Sequence, residues 1–199
     1  MNGEPIGNTN YGRVSKHINR VPAVNIHHAT RFSERIGLPL NTFVTISLSN
    51  TPEPRAASRI FRKLLCERFS PWLRRSAGSS TPPTYVWTIE QTRGVTAAHW
   101  LVHVPKGIGT KLGRKLEAWL GSLTGEEAAS GDIQMKPIYN LVGVRRYVLK
   151  GVNPVWAERL GIRAVDQGIV NGKRSGFSKN LGPTARRAGG YVPRRRPPV

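Results

Sequence analysis

The chain has 199 residues, and its 31 Lys and Arg against 11 Asp and Glu leave a formal net charge of +20. That length suits one domain with extensions, and a hydrophobic share of 38% suffices for one ordinary core, whereas so large a charge exceeds what solubility requires and points to a polyanionic partner. The longest apolar runs, Phe43 to Leu48 and Trp100 to Val104, fall far short of the roughly 20 residues that cross a bilayer, so no membrane span is expected. Met1 to Ile6 carries no basic segment leading into an apolar run, so no secretory signal is expected and the expected location is cytoplasmic. Cys66 is the only cysteine, which excludes an intramolecular disulfide and cysteine-built zinc or iron–sulfur sites. Any metal would rest on His, Asp or Glu.

Residues 1–40 are polar, with Gly3, Gly7, Gly12, Pro22 and Pro39 interrupting any period, and read as a basic, irregular N-terminal arm. Phe43 to Leu48 alternates, Val44, Ile46 and Leu48 on one face and Thr45 and Ser47 on the other, which predicts a half-buried strand. From Pro54 to about Arg75, apolar Ala57, Ile60, Phe61, Leu64, Leu65, Phe69, Trp72 and Leu73 recur at helical spacing with Arg55, Arg59, Arg62, Lys63 and Arg68 between them. This predicts an amphipathic helix with a basic outer face, kinked or divided at Pro71. Strands follow at Tyr85 to Gln91 and Ala97 to Val104, joined as a hairpin, then a helix from about Thr110 to Leu123 and a short strand at Asp132 to Lys136. The order β-α-β-β-α-β predicts an α+β, ferredoxin-like antiparallel sheet with helices on one face and the opposite face free for ligands.

Two more helices are expected, from Asn140 to Lys150 and from Asn153 as N-cap, with Pro154 in the first turn, to Gly161. The folded domain is thus placed at residues 41–165. Residues 166–199 form a basic, Gly- and Pro-rich tail, read as flexible. Its Lys173, Arg174, Lys179, Arg186 and Arg187, leading to Arg194, Arg195 and Arg196, suit phosphate contacts, and a solvated tail without a specific task is the alternative.

Two groups carry possible chemistry. His99 shares a strand face with Ala97 and Leu101, and a four-residue hairpin loop would set it opposite Glu90, where carboxylate and imidazole could share a divalent cation or simply hydrogen-bond without one. His103 lies too far along the strand to join them and reads as a polar boundary residue before Pro105. On the helix from Asn140, Tyr147 and Lys150 share a side and Arg145 and Arg146 adjoin them. A phenol is a poor nucleophile unless cations stabilise its anion, which these residues would do; the other reading is a packed tyrosine beside a solvated lysine.

The order of these motifs resembles that of rolling-circle replication initiators of the HUH endonuclease superfamily. The strand Phe43-Val44-Thr45-Ile46-Ser47-Leu48 is similar to the first family motif. Val86 to Glu90 with Ala97 to Pro105 is similar to the second, and Tyr147-Val148-Leu149-Lys150 to the third. The resemblance covers about residues 40 to 155. It implies a replication or mobilisation protein of a plasmid or phage that nicks single-stranded DNA through a 5′-phosphotyrosyl intermediate. Tyr147 would be the nucleophile, Lys150 its helper, Glu90 and His99 ligands of Mn²⁺ or Mg²⁺, and Thr45, Ser47, Arg145 and Arg146 contacts to DNA. The implied partners are single-stranded or origin DNA and host replication proteins. The sequence departs from the family at Ala97, where the first of two histidines would stand, so that Glu90 and His99 have to suffice or His27 or His28 from the arm has to help. A catalytically inactive DNA-binding protein on the same fold is therefore the competing expectation, and a ribosome- or chromatin-associated protein a third.

Overall fold

The structure is a computed structural model and describes residues 14–49, 56–78 and 80–193. Arg194, Arg195 and Arg196, and the expected helix start at Pro54 and Arg55, lie outside the described residues. In chain order the elements are β1 (Val14–Ser15), α1 (Arg20–Arg35), β2 (Thr42–Ser47), α2 (Ala57–Lys63), a π-helical stretch (Leu64–Phe69), α3 (Ser70–Ala77), β3 (Tyr85–Thr92), β4 (Val95–Val102), α4 (Gly109–Thr124), β5 (Ile133–Pro137), α5 (Leu141–Val148) and α6 (Pro154–Ala157). β6 (Val170–Asn171), β7 (Ser175–Phe177) and α7 (Pro183–Ala188) complete the chain.

Strands run antiparallel in the order β5-β2-β4-β3-β7. The first four are the expected β-α-β-β-α-β frame, with α2, α3 and α4 on one face. Their apolar stripes meet Val44, Ile46, Trp87, Ala98, Trp100 and Val102 in one buried core. The helix does change character near Pro71, but one turn earlier. Pro71 has no amide hydrogen, and Ser70 directs both its N–H and its hydroxyl to the Leu65 carbonyl, the latter at 2.7 Å, so the ladder widens to π spacing.

The hairpin is tighter than expected. Arg93 and Gly94 take φ of 52° and 80°, the two-residue turn whose twist matches its strands, and Thr92 pairs with Val95. Glu90 therefore lies opposite Ala97, and His99 opposite Thr88. Because the register moves by two residues, every side chain keeps its predicted face.

The second face is not open throughout. Residues 20–35, read as part of an irregular arm, form α1. Pro22 stands in its first turn, where a missing amide hydrogen costs nothing, and Ala23, Ile26, Ala29 and Phe32 are buried at helical spacing. With α5 they cover Val86 and Leu101 in a second core that includes Ile18, Val148, Leu149 and Val152. Asn140 caps α5, its side chain accepting the Gly143 N–H at 2.9 Å, and Asn153 caps α6 in the same way at Val155.

The part of the C-terminal tail from Val170 to Ala188 is built into the fold rather than loose. β6 pairs with β1, and β7 extends the sheet at β3, with Gly176 opposite Trp87. A Cβ at Gly176 would stand 2.8 Å from the Trp87 indole, so only glycine lets this strand close on the sheet. No helix among the described residues is long and apolar enough to cross a membrane.

Candidate functional site

Four elements converge where the second face is left uncovered beside α5. β2 contributes Phe43 and Thr45, β3 Glu90, β4 His99, and the C-terminal end of α5 brings Tyr147 and, two residues past its last turn, Lys150. His99 is buried, and its Nδ1 lies 3.3 Å from Thr45 Oγ1, which orients the ring so that Nε2 faces Glu90 Oε1 at 3.1 Å. The approach is off the line of a hydrogen bond, and Nε2 has no other partner. Lys150 Nζ takes the second carboxylate oxygen at 3.0 Å and lies 4.1 Å from the centre of the Tyr147 ring. That ring meets His99 edge to face at 5.3 Å and Phe43 at 6.0 Å, yet Tyr147 remains 45% exposed. The two groups of residues that the sequence suggested separately form one site.

Burial pushes the Glu90 carboxyl up, but the pull of His99 and then of Lys150 outweighs it and holds the carboxyl below its ordinary 4.5. Burial likewise pushes the Lys150 ammonium down, and Glu90 with Tyr147 more than reverses this, raising it above its ordinary 10.5. A lowered carboxyl pKa contributes stability above about pH 4.5 that is lost as pH falls through the folded value, and a raised ammonium pKa contributes stability below about pH 10.5 that is lost as pH rises through the folded value. Glu90→Gln is therefore expected to destabilise the protein most near neutrality. The difference in urea midpoint from wild type should shrink toward about pH 3 and about pH 11. A difference that stays constant across this range would mean that the ion pair contributes nothing to the fold.

Glu90 Oε1 and His99 Nε2 have the separation of neighbouring ligands on one ion at bond lengths of about 2.1 Å. Ala97, opposite Glu90, adds no donor, and among the described residues no third His, Cys, Asp or Glu joins the pair. His28 instead lies 3.2 Å from the Tyr191 hydroxyl. The pair supplies two donors only, so a cation here would need its remaining ligands from outside these residues.

The remaining expected contacts divide. Thr45 and Ser47 are half-buried on the sheet face, and Arg146, Lys173, Lys179 and Arg187 are exposed. Arg145 is half-buried against α1, its Nη1 3.5 Å from Thr30 Oγ1. Arg174 and Arg186 are buried and are not phosphate contacts. The Arg174 guanidinium donates to the carbonyls of Ile89, Ser15, Gln167 and Gly168 at 3.3, 2.9, 2.6 and 2.9 Å. Arg186 donates to the backbone carbonyl and side-chain oxygen of Asn25, fastening α7 to α1. Sequence reading passed over Phe43 as a site residue although its alternation with Thr45 marks the face. It also passed over Tyr139, which is 93% exposed just before the cap of α5.

No protein-family model, curated protein or solved structure matches the chain. The fold itself is α+β with a ferredoxin-like antiparallel frame.

Proposed function

We propose that this protein is a cytoplasmic replication or mobilisation initiator of the rolling-circle kind that nicks single-stranded DNA with Tyr147. The observation that carries the reading is the meeting of a half-exposed tyrosine with Lys150, Glu90 and His99 on a strongly basic protein. The Tyr147 oxygen attacks phosphorus as its proton passes to water, the P–O3′ bond breaks, and the products are a 5′-phosphotyrosyl ester and a protonated 3′-hydroxyl. Lys150 favours the phenolate by its charge, and Thr45 keeps the His99 ring in register with Glu90. Mn²⁺ or Mg²⁺ held by Glu90, His99 and the phosphate would polarise the phosphate oxygens.

A second reading, a DNA-binding protein without catalysis, is favoured by one arrangement: Ala97 faces Glu90 in the register, and Lys150 already neutralises the carboxylate. Incubation with mixed-sequence single-stranded oligonucleotides and Mn²⁺ separates the two. A denaturant-resistant protein–DNA adduct is expected of the nicking protein, and binding without adduct of the other.

Exposed Tyr139 fits this substrate as a platform for an unpaired base. Tyr139→Ala is expected to weaken binding of a single-stranded oligonucleotide by about 1–3 kcal/mol, the usual worth of one stacked base. Fluorescence anisotropy at constant salt measures it, and an unchanged affinity would remove Tyr139 from the binding path.

A further inference from the structure

The run from α2 to α3 lies across the sheet from Tyr147, its apolar side in the first core through Ile60, Phe61, Leu64, Leu65, Phe69 and Leu73. Its solvent side exposes Arg59, Arg62, Lys63, Arg68, Arg74 and Arg75, with Glu67 the one acidic residue between Arg59 and Arg75. At 1.5 Å per residue these cations extend over about 24 Å. The site around Tyr147 makes no use of them.

We propose that this helical face binds the phosphate backbone of a nucleic-acid duplex, as a second surface separate from the site at Tyr147. The charges sit on a helical run anchored in the core, and their extent spans about seven base-pair steps of B-form DNA at 3.4 Å of axial rise each. The face has nothing on which unpaired bases could stack: its aromatic residues, Phe61, Phe69 and Trp72, are all buried. Single-strand binding grooves rely on such platforms, and the other side of the molecule has one in Tyr147. Nor does the face hold an apolar anchor of the kind that centres a protein–protein contact. The large hydrophobic residues exposed among the described residues all lie elsewhere. Charge without aromatic or apolar contact is the chemistry of backbone binding that is indifferent to sequence. The inference does not rest on Tyr147 being a nucleophile.

Cys66, exposed on this helix between Lys63 and Arg68 and the only thiol in the chain, provides the test in the unaltered protein. Saturating duplex DNA is expected to slow alkylation of Cys66 by iodoacetamide about tenfold, whereas a single strand of equal length at the same occupancy leaves the rate unchanged. The triple variant Arg62→Ala, Lys63→Ala, Arg68→Ala is expected to bind duplex at least about tenfold more weakly near 0.1 M salt, with its log–log salt slope reduced by about 2 to 3, as loss of three phosphate contacts requires. Its single-strand affinity should stay that of wild type. Equal alkylation with and without duplex, or a variant that loses duplex and single-strand binding in equal measure, would overturn the proposal. Formation of a covalent adduct at Tyr147 is read separately, so either proposal can fail alone.

Discussion

Tyr147→Phe is expected to abolish the covalent protein–DNA adduct, lowering its rate of formation by at least about a thousandfold, while leaving the affinity for single-stranded DNA within a factor of about two. The substitution removes one oxygen and nothing else. The ring keeps its edge contacts with His99 and Phe43 and its place beneath the Lys150 ammonium. Because Tyr147 is 45% exposed and its hydroxyl bonds to the partly exposed Lys150 ammonium rather than into the core, stability should fall by no more than about 1 kcal/mol. Binding, folding and chemistry are thereby separated in one variant, with denaturing electrophoresis reading the adduct and anisotropy the binding. An adduct of undiminished yield in the Phe variant would show that another group attacks, and the assignment of Tyr147 would fall.

The second large effect concerns the fold. Arg174→Met is expected to cost about 1–3 kcal/mol, the cost of leaving a buried acceptor without its donor, and to lower Tm by roughly 2–4 °C for each kcal/mol. The guanidinium has no carboxylate within ion-pair distance among the described residues. Burial pushes its pKa down, and the fields of Asp166 and Glu90 only partly offset this. What holds it is the set of carbonyls from Ile89, Ser15, Gln167 and Gly168, which joins β3, β1 and the segment before β6. Methionine keeps much of the length and apolar bulk but donates nothing, so the Ile89 carbonyl loses its donor in a buried place, at about 1–3 kcal/mol for a group left unsatisfied, whereas the Gln167 carbonyl keeps the Gln91 N–H at 3.0 Å. Arg187→Met, at an exposed arginine of α7, should stay within about 0.5 kcal/mol. Thermal unfolding of both variants measures the contrast, and equal melting temperatures would mean that the Arg174 bonds are replaced by water at no cost.

The site was legible largely through parity. Alternation along β2, β3 and β4 puts Thr45, Glu90 and His99 on one face for any register that differs by an even number of residues, so a shift of two residues in the turn left the site intact. The three-residue spacing then brought Lys150, in the turn that follows α5, beside Tyr147 in its last turn, and the asparagine caps at Asn140 and Asn153 marked where α5 and α6 begin. α1 was hidden because its buried stripe is partly alanine, and Pro22, a breaker in most contexts, stands where a helix tolerates it. β7 has only three residues, one of them Gly176, too short to show a period. Nor does anything in a run of Lys and Arg distinguish the arginines that turn inward. Arg174 and Lys173 are neighbours, one buried on the carbonyls of Ile89, Ser15, Gln167 and Gly168 and one exposed.

The pairing of β1 with β6 and of β3 with β7 also dictates when the molecule can complete itself. Ser15 and Val170 are joined across 155 positions, and Arg174 reaches Ser15 across 159. During synthesis the β-α-β-β-α-β frame can collapse on α2, α3 and α4 as soon as β5 has emerged, but β3 keeps a bare edge until Phe177 has been made. Contacts so distant in the chain form late and slowly, and an unpaired strand edge is open to other chains meanwhile. The sheet edge at Val86 to Thr88 is thus the place where a nascent or C-terminally shortened chain would meet its neighbours.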